Sequence, residues 1–195
     1  AEVAEGIKGL QRLYGVDPAE IIYFTHGTTV GVNTVIQRKG LRLCLFATEN
    51  FVDVLEVARL KMPDPYDLHS RRPDPLIPRD RVFGVRERMG PDGEIRTPLD
   101  EASVLAALDK ARAAGAEGIV IAFINSYRNP AHERTAKAII ERTAPGLPVF
   151  CSTDVWSVIR EYERTTTAVI HAYVQPRVAH YLERLQRSLE ELGVT

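Results

Sequence analysis

The chain lacks an excess of charge of either sign: 25 lysines and arginines stand against 26 aspartates and glutamates, scattered over 195 residues, for a formal charge of −1. Without a basic or acidic field it has little with which to draw a phosphate backbone or an anionic lipid surface, so neither nucleic acid nor membrane is an expected partner. It also lacks any apolar run approaching the roughly 20 residues that span a bilayer. The opening residues AEVAEGIKGL lack the basic start and apolar stretch of a secretory signal. A cytoplasmic location is expected. Cysteine is scarce, and Cys44 and Cys151 are too far apart for a zinc or disulfide framework. Each lies in an apolar run (LRLCLFAT and LPVFCST), where a thiol packs as a small buried hydrophobe. Histidines 26, 69, 132, 171 and 180 show no metal-ligand spacing. GxxxxGK followed by Ser or Thr, GxSxG and GxGxxG are all absent, which excludes a P-loop, a nucleophile elbow and a dinucleotide fingerprint within these residues.

What is present is globular: 45% hydrophobic and 26% charged residues are enough to build a core. Val3, Ile7, Leu10 and Tyr14 recur at helical spacing and end at Gly15, which can close a helix in the left-handed conformation. Asp17-Pro18 then leads to an apolar run, Ile21 to Phe24, expected as a strand. A helical stretch through Val35 and Ile36, ended by Gly40, precedes a second expected strand at Leu41 to Ala47. An α/β protein rarely begins on a crossover helix, so sequence upstream of Ala1 is expected.

Beyond Phe51 the pattern changes. Phe51, Leu55 and Ala58 share a short helical face, after which Pro63, Pro65, Pro73, Pro75 and Pro78 exclude helix from a long loop. Arg81 to Met89, the turn Gly90-Pro91-Asp92-Gly93 and Glu94 to Thr97 read as a hairpin. Alternation then resumes. Asp100 caps a helix through Val104, Leu105, Leu108 and Ala111, a strand follows at Gly118 to Asn125, and Asn129-Pro130 starts another helix running to Thr143. A strand at Val149 to Thr153 leads into a long helix from Ile159 to Leu189 that Pro176 should kink or split. At Gly193-Val194-Thr195 another strand is expected to begin. The expected division is an α/β core piece at 1–50, an insertion with a Pro-rich loop and β-hairpin at 51–98, and an α/β continuation at 99–195.

Two clusters could carry chemistry. In THGTTVGVN, Thr25 to Asn33, hydroxyls, an imidazole and a glycine are delivered onto a helix N-terminus, whose free amides favour a phosphate or a polarised carbonyl. Alternatively, Thr28 or Thr29 merely caps the helix and His26 is a hydrogen-bonded turn residue. In IREYERTTT, Arg160, Glu161, Glu163 and Arg164 open the long helix, where two arginines could grip an anion or simply form a solvated face.

The motifs HGTTVGVN at His26, FVDVLEVAR at Phe51, PYDL at Pro65, NSYRNPAHE at Asn125 and IREYERTTT at Ile159 together resemble the hydantoinase A/5-oxoprolinase family, in order and over nearly the whole chain. The resemblance implies an α/β fold that is part of an actin/sugar-kinase/Hsp70-like ATPase core. It implies an ATP-dependent hydrolase that opens a small cyclic amide (hydantoin, N-methylhydantoin or 5-oxoproline), with ATP activating the carbonyl oxygen. An acetone-type carboxylase subunit is the alternative within enzymes, and a non-catalytic binding or assembly module the alternative outside them. ATP and Mg2+ belong to the full-length enzyme. The family's two D-x-G-G-T-type phosphate loops are not in these residues, so tight nucleotide binding and activity of this piece alone are not expected. A hydantoinase B-type subunit or fused domain is the implied partner. By the same resemblance His26, Thr28 and Thr29 become candidate catalytic residues, and Gly27, Asn33, Arg160, Glu161 and Arg164 candidate substrate- or phosphate-binding residues. One departure stands at Gly31-Val32, where the family commonly carries Ala-Thr.

Overall fold

The computed structural model describes residues 2–194. In chain order the elements are α1 (Glu2–Tyr14), α2 (Val30–Ile36), β1 (Leu43–Thr48), α3 (Val54–Val57), β2 (Val82–Val85), β3 (Arg88–Met89), β4 (Ile95–Thr97), α4 (Glu101–Ala113), β5 (Gly118–Ala122), α5 (Ala131–Thr143), β6 (Val149–Cys151), α6 (Ser152–Val155) and α7 (Glu161–Glu190). They form two compact units: one is built from Leu41–Tyr173, the other from the residues up to Gly40 together with those from Val174 onward.

The Leu41–Tyr173 unit holds a four-stranded sheet in the order β2-β1-β5-β6, parallel throughout. Every residue of β1 and β5 is buried, which explains why LCLFAT and GIVIA read as unbroken apolar runs: a parallel sheet is covered on both faces. On one face Phe46, Ile119, Ile121 and Cys151 form a core with Val104 and Leu108 of α4 and Ile139 and Ile140 of α5. Leu43, Leu45 and Val120, alternating with them, are equally shut from solvent. Each such side chain stabilises the unit by about 1.5–3 kcal/mol.

Capping follows the sequence. Asp100 accepts from the Ala102 amide at 3.1 Å and Asn129 from the Ala131 amide at 3.1 Å. Both cysteines are buried. In the hairpin turn Gly93 holds φ +89°, where an added Cβ would be strained.

The sheet order has a geometric consequence. From β1 the chain departs toward β2, and from β5 it departs to the opposite side, toward β6. Where neighbouring parallel strands send their connections apart, a crevice opens beyond their C-terminal ends. Here that point lies past Thr48 and Ala122.

The second unit contains α1, α2 and the C-terminal part of α7. Ile7 and Thr34 are buried in it, and Thr34 Oγ1 donates to the Val30 carbonyl at 2.7 Å.

Several local expectations are corrected. Ile21 to Phe24 is not a strand; a short 3-10 turn, Pro18–Glu20, precedes an irregular segment in which Ile22 is 98% and Tyr23 83% exposed. Apolar composition alone does not make a strand, which needs a neighbour to take its backbone groups, and among the described residues none pairs with it. Arg81 to Met89 is not one hairpin arm: Val82–Val85 joins the parallel sheet beside β1, and only Arg88 and Met89 pair with β4. The run after Val149 forms strand only to Cys151, and Ser152–Val155 is a helical turn. Helix α2 ends at Ile36, short of Gly40, and α7 is not split at Pro176 but runs unbroken through it. The further strand expected at Gly193-Val194-Thr195 falls partly on Thr195, outside the described residues.

Candidate functional site

A cavity of about 860 Å³ opens beyond the C-terminal ends of β1 and β5, at the crevice the strand order creates. Ala47 and Thr48 close it from β1, and Ala122, Ile124 and Asn125 from β5 and the turn that follows. Ala47 and Ala122 are register partners, and two such small side chains leave room at the sheet edge. The remaining wall comes from residues 50–59, from Arg88 and from the start of α7.

Three sequence motifs converge here. FVDVLEVAR contributes Phe51, Asp53, Val54 and Arg59; NSYRNPAHE contributes Asn125; IREYERTTT contributes Arg160, Glu161, Glu163 and Thr165. Backbone strain concentrates on the same wall. Asn50, Ala58, Asn125 and Arg160 have φ of +68°, +49°, +59° and +86°. Asparagine tolerates the left-handed region, whereas Ala58 and Arg160 are held there at about 1–3 kcal/mol each by their surroundings.

The charges are arranged unevenly. Glu163 is bound by Arg59, Asp53 by Arg79, and Glu161 lies 3.7 Å from Arg164. Partial desolvation raises the Glu163 pKa, but its own backbone amide, Arg59 and the nearby Arg160 charge together outweigh that and hold the carboxyl below its ordinary value. With those carboxylates engaged, Arg88 and Arg160 form no salt bridge among the described residues. Among the described residues no group of His, Cys, Asp and Glu is placed to hold a metal ion. The lining chemistry suits an anion or a polarised carbonyl better than a cation.

Behind the wall lies a buried polar network. Arg164, fully shut from solvent, donates from Nε to Ser152 Oγ at 3.1 Å, from Nη1 to the Val158 carbonyl at 3.0 Å and from Nη2 to the Phe123 carbonyl at 2.7 Å. Ser152 Oγ in turn lies 2.7 Å from Glu133, whose carboxyl also accepts from the amides of Phe123 at 3.0 Å and Thr153 at 3.1 Å. Arg164 is therefore not on a solvated face, and its guanidinium is directed onto protein acceptors. It fixes the turn after β5 that carries Asn125. Glu161 assists by accepting from the Asn125 amide at 3.3 Å. On the β1 side, Thr48 hydrogen-bonds to the buried Glu87 and accepts from the Ile124 amide at 3.0 Å, while His132 Nδ1 lies 2.7 Å from Glu87.

The other candidate residues lie in the second unit. Thr28 Oγ1 accepts from the Val30 amide at 3.3 Å, and Thr29 Oγ1 from Asn33 Nδ2 at 3.1 Å, so both hydroxyls serve the start of α2. His26 is hydrogen-bonded to Tyr181 and stacks between Phe24 and Tyr181, with ring centroids 6.2 and 5.7 Å away. Gly27 is exposed and open around its Cα. Sequence reasoning missed Thr48, Arg59 and Arg88. The available signal was the charged run Arg86-Glu87-Arg88 between Val85 and Met89, inside the stretch expected as a hairpin arm.

Comparisons with known proteins bear on the family and the fold. The hydantoinase/oxoprolinase N-terminal region model matches residues 1–144. The caprolactamase alpha subunit of Pseudomonas jessenii is 34% identical over 98% of this chain and 28% of its own length. The crystal structure of the ATP-dependent caprolactamase from that organism superposes with a TM-score of 0.87 at 35% identity, covering 98% of this chain and 28% of the other. Nucleotide-free acetone carboxylase gives a TM-score of 0.74 at 32% identity, covering 84% and 25%. The chain thus spans about a quarter of the length of these relatives. No helix among the described residues is long and apolar enough to cross a membrane. The parallel sheet with flanking helices is the actin/sugar-kinase/Hsp70-type fold of those solved relatives, and the chain belongs to the hydantoinase/oxoprolinase family.

Proposed function

We propose that this chain supplies the substrate-side wall of an ATP-dependent enzyme that opens small cyclic amides of the hydantoin, N-methylhydantoin or 5-oxoproline kind. The observation that carries the reading is the convergence of three distant motifs, with strained backbone and two cations lacking salt bridges, on one cavity at the strand-order crevice. Such a site can seat a ring and stabilise negative charge developing on its carbonyl oxygen. Residues 51–98 act as an insertion between the α/β pieces 1–50 and 99–195, and its residues 51–59 and Arg88 help close the cavity. Arg160 and Glu161 contact the bound molecule, and Arg164 acts through the turn it holds.

His26, Thr28 and Thr29 act in catalysis and Gly27 and Asn33 in substrate or phosphate binding, from the other unit, which presents an imidazole and hydroxyls. The residues around the cavity do not fit Mg2+, because Asp53, Glu161 and Glu163 face arginines. ATP and Mg2+ are held by other parts of the intact enzyme, and this piece alone is inactive. Relatives named as subunits support a partner, a hydantoinase B-type subunit or a fused equivalent.

Similarity to acetone carboxylase supports a second reading, an ATP-dependent ketone carboxylase. Substrate-dependent ADP release by the intact protein with its partner separates the two. Stimulation by cyclic amides with formation of the ring-opened acid supports the first; stimulation only by a ketone with bicarbonate supports the second; no stimulation by either leaves a non-catalytic assembly module.

A further inference from the structure

Of the two cavity arginines without a salt bridge among the described residues, Arg88 is the one whose backbone is anchored on both sides and whose side chain leaves a buried donor unpartnered. The residues flanking Arg88 are both anchored. Glu87, buried, is hydrogen-bonded to Thr48 and lies 2.7 Å from His132 Nδ1. Met89, also buried, has its carbonyl bound by Asn125 Nδ2 at 3.0 Å. Between them the β3–β4 pairing slips register at Arg88/Met89, the kind of irregularity that re-aims a side chain. The Arg88 side chain lines the cavity, its guanidinium carbon 4.6 Å from the centroid of the Phe51 ring. Its Nη1 is buried and has no hydrogen-bond partner among the described residues. An orphaned buried donor of this kind is destabilising unless something accepts from it. The cavity's acids are not available to do so, since Glu163, Asp53 and Glu161 are matched to Arg59, Arg79 and Arg164.

We propose that Arg88 is the oxyanion anchor of this cavity: its guanidinium, stacked on Phe51, pairs with a carboxylate or phosphoryl group of the bound molecule. A planar fork bonds such groups in a bidentate manner that neither a neutral amide nor a lysine reproduces. This inference rests on the cavity being the substrate site, but it is independent of which reaction follows and of nucleotide.

The test is equilibrium binding to the intact protein without ATP, using 2-pyrrolidone as the neutral lactam, 5-oxoproline as the same ring carrying a carboxylate, and inorganic phosphate. The expected result is that Arg88→Gln weakens 5-oxoproline or phosphate by about tenfold to a hundredfold and leaves 2-pyrrolidone unchanged. Whichever anion responds identifies its source. Arg88→Lys, which keeps the charge and packs similarly, should fall between the two, and it remains informative if the glutamine variant does not fold. Equal anion affinity in the folded variants and the parent, or no measurable binding of either anion to the parent, overturns the proposal. Because no turnover is read, failure of the cyclic-amide reaction would leave this result standing, and the reverse.

Discussion

Asn125 donates from its side-chain amide to the Met89 carbonyl at 3.0 Å, tying the turn after β5 to the start of the hairpin that carries Arg88. Its own backbone, at φ +59°, is fixed through Glu161 and through the Arg164 network behind it. The cavity wall is thus braced by two of its own lining residues, Asn125 and Glu161, and from behind by Arg164, which does not line it.

Removing Arg164 should therefore unfold more than a surface arginine would. Arg164→Ala leaves the Phe123 and Val158 carbonyls and Ser152 without their buried donor, and should cost about 3–5 kcal/mol in urea denaturation. Arg164→Lys should recover only part of this, because an ammonium cannot span the same acceptors.

The thiols give a pH signature. Burial, reinforced by the Glu133 charge, pushes Cys151 from an ordinary 9.0 up to about 12, and burial likewise raises Cys44. As pH rises, the unfolded thiol loses its proton first. The stabilisation from a neutral buried thiol is complete below the ordinary value and is lost as pH climbs toward the folded one. Stability should fall above pH 9 more steeply in the parent than in Cys151→Ala, by up to about 1.4 kcal/mol per pH unit. Neither cysteine should react with iodoacetamide near neutral pH until the chain unfolds.

Gly31→Ala should stabilise the protein. An added Cβ meets only Val178 Cγ2 at 3.8 Å, an ordinary contact, and alanine in a helix is favoured over glycine by about 0.5–1 kcal/mol. A rise in Tm read by circular dichroism checks this.

His26→Ala combined with Thr28→Ala should lower ring-opening turnover of the intact enzyme roughly a hundredfold while it remains folded. Near-normal kcat in a folded double variant would remove the HGTT turn from the chemistry and leave Thr28 as a cap.

Much of the scaffold was legible because its signals are local. The caps at Asp100 and Asn129, the fully apolar β1 and β5, and the helical period of α4 and α5 each depend on neighbours within a turn or two. What was not legible depends on distant partners. Ile21 to Phe24 has strand composition but no strand beside it among the described residues, and Val82–Val85 was read as a hairpin arm because its partner, β1, lies far earlier in the chain. Arg164 looked like part of a solvated charge run until Phe123, Ser152 and Val158 were brought around it. At the site, motif order pointed to Arg160 and Glu161, whereas the salt bridge of Arg59 to Glu163, 104 residues apart, required the fold. Arg88 emerged only once the acids around it were seen to be taken.

The central claim, that the cavity beyond β1 and β5 is where substrate sits, is tested most directly by a crystal structure of the intact protein with a cyclic amide bound. The account predicts the ring between the ends of β1 and β5, within hydrogen-bonding reach of Arg160, with any carboxylate it carries at Arg88. A ring bound elsewhere, with only solvent in this cavity, would contradict it.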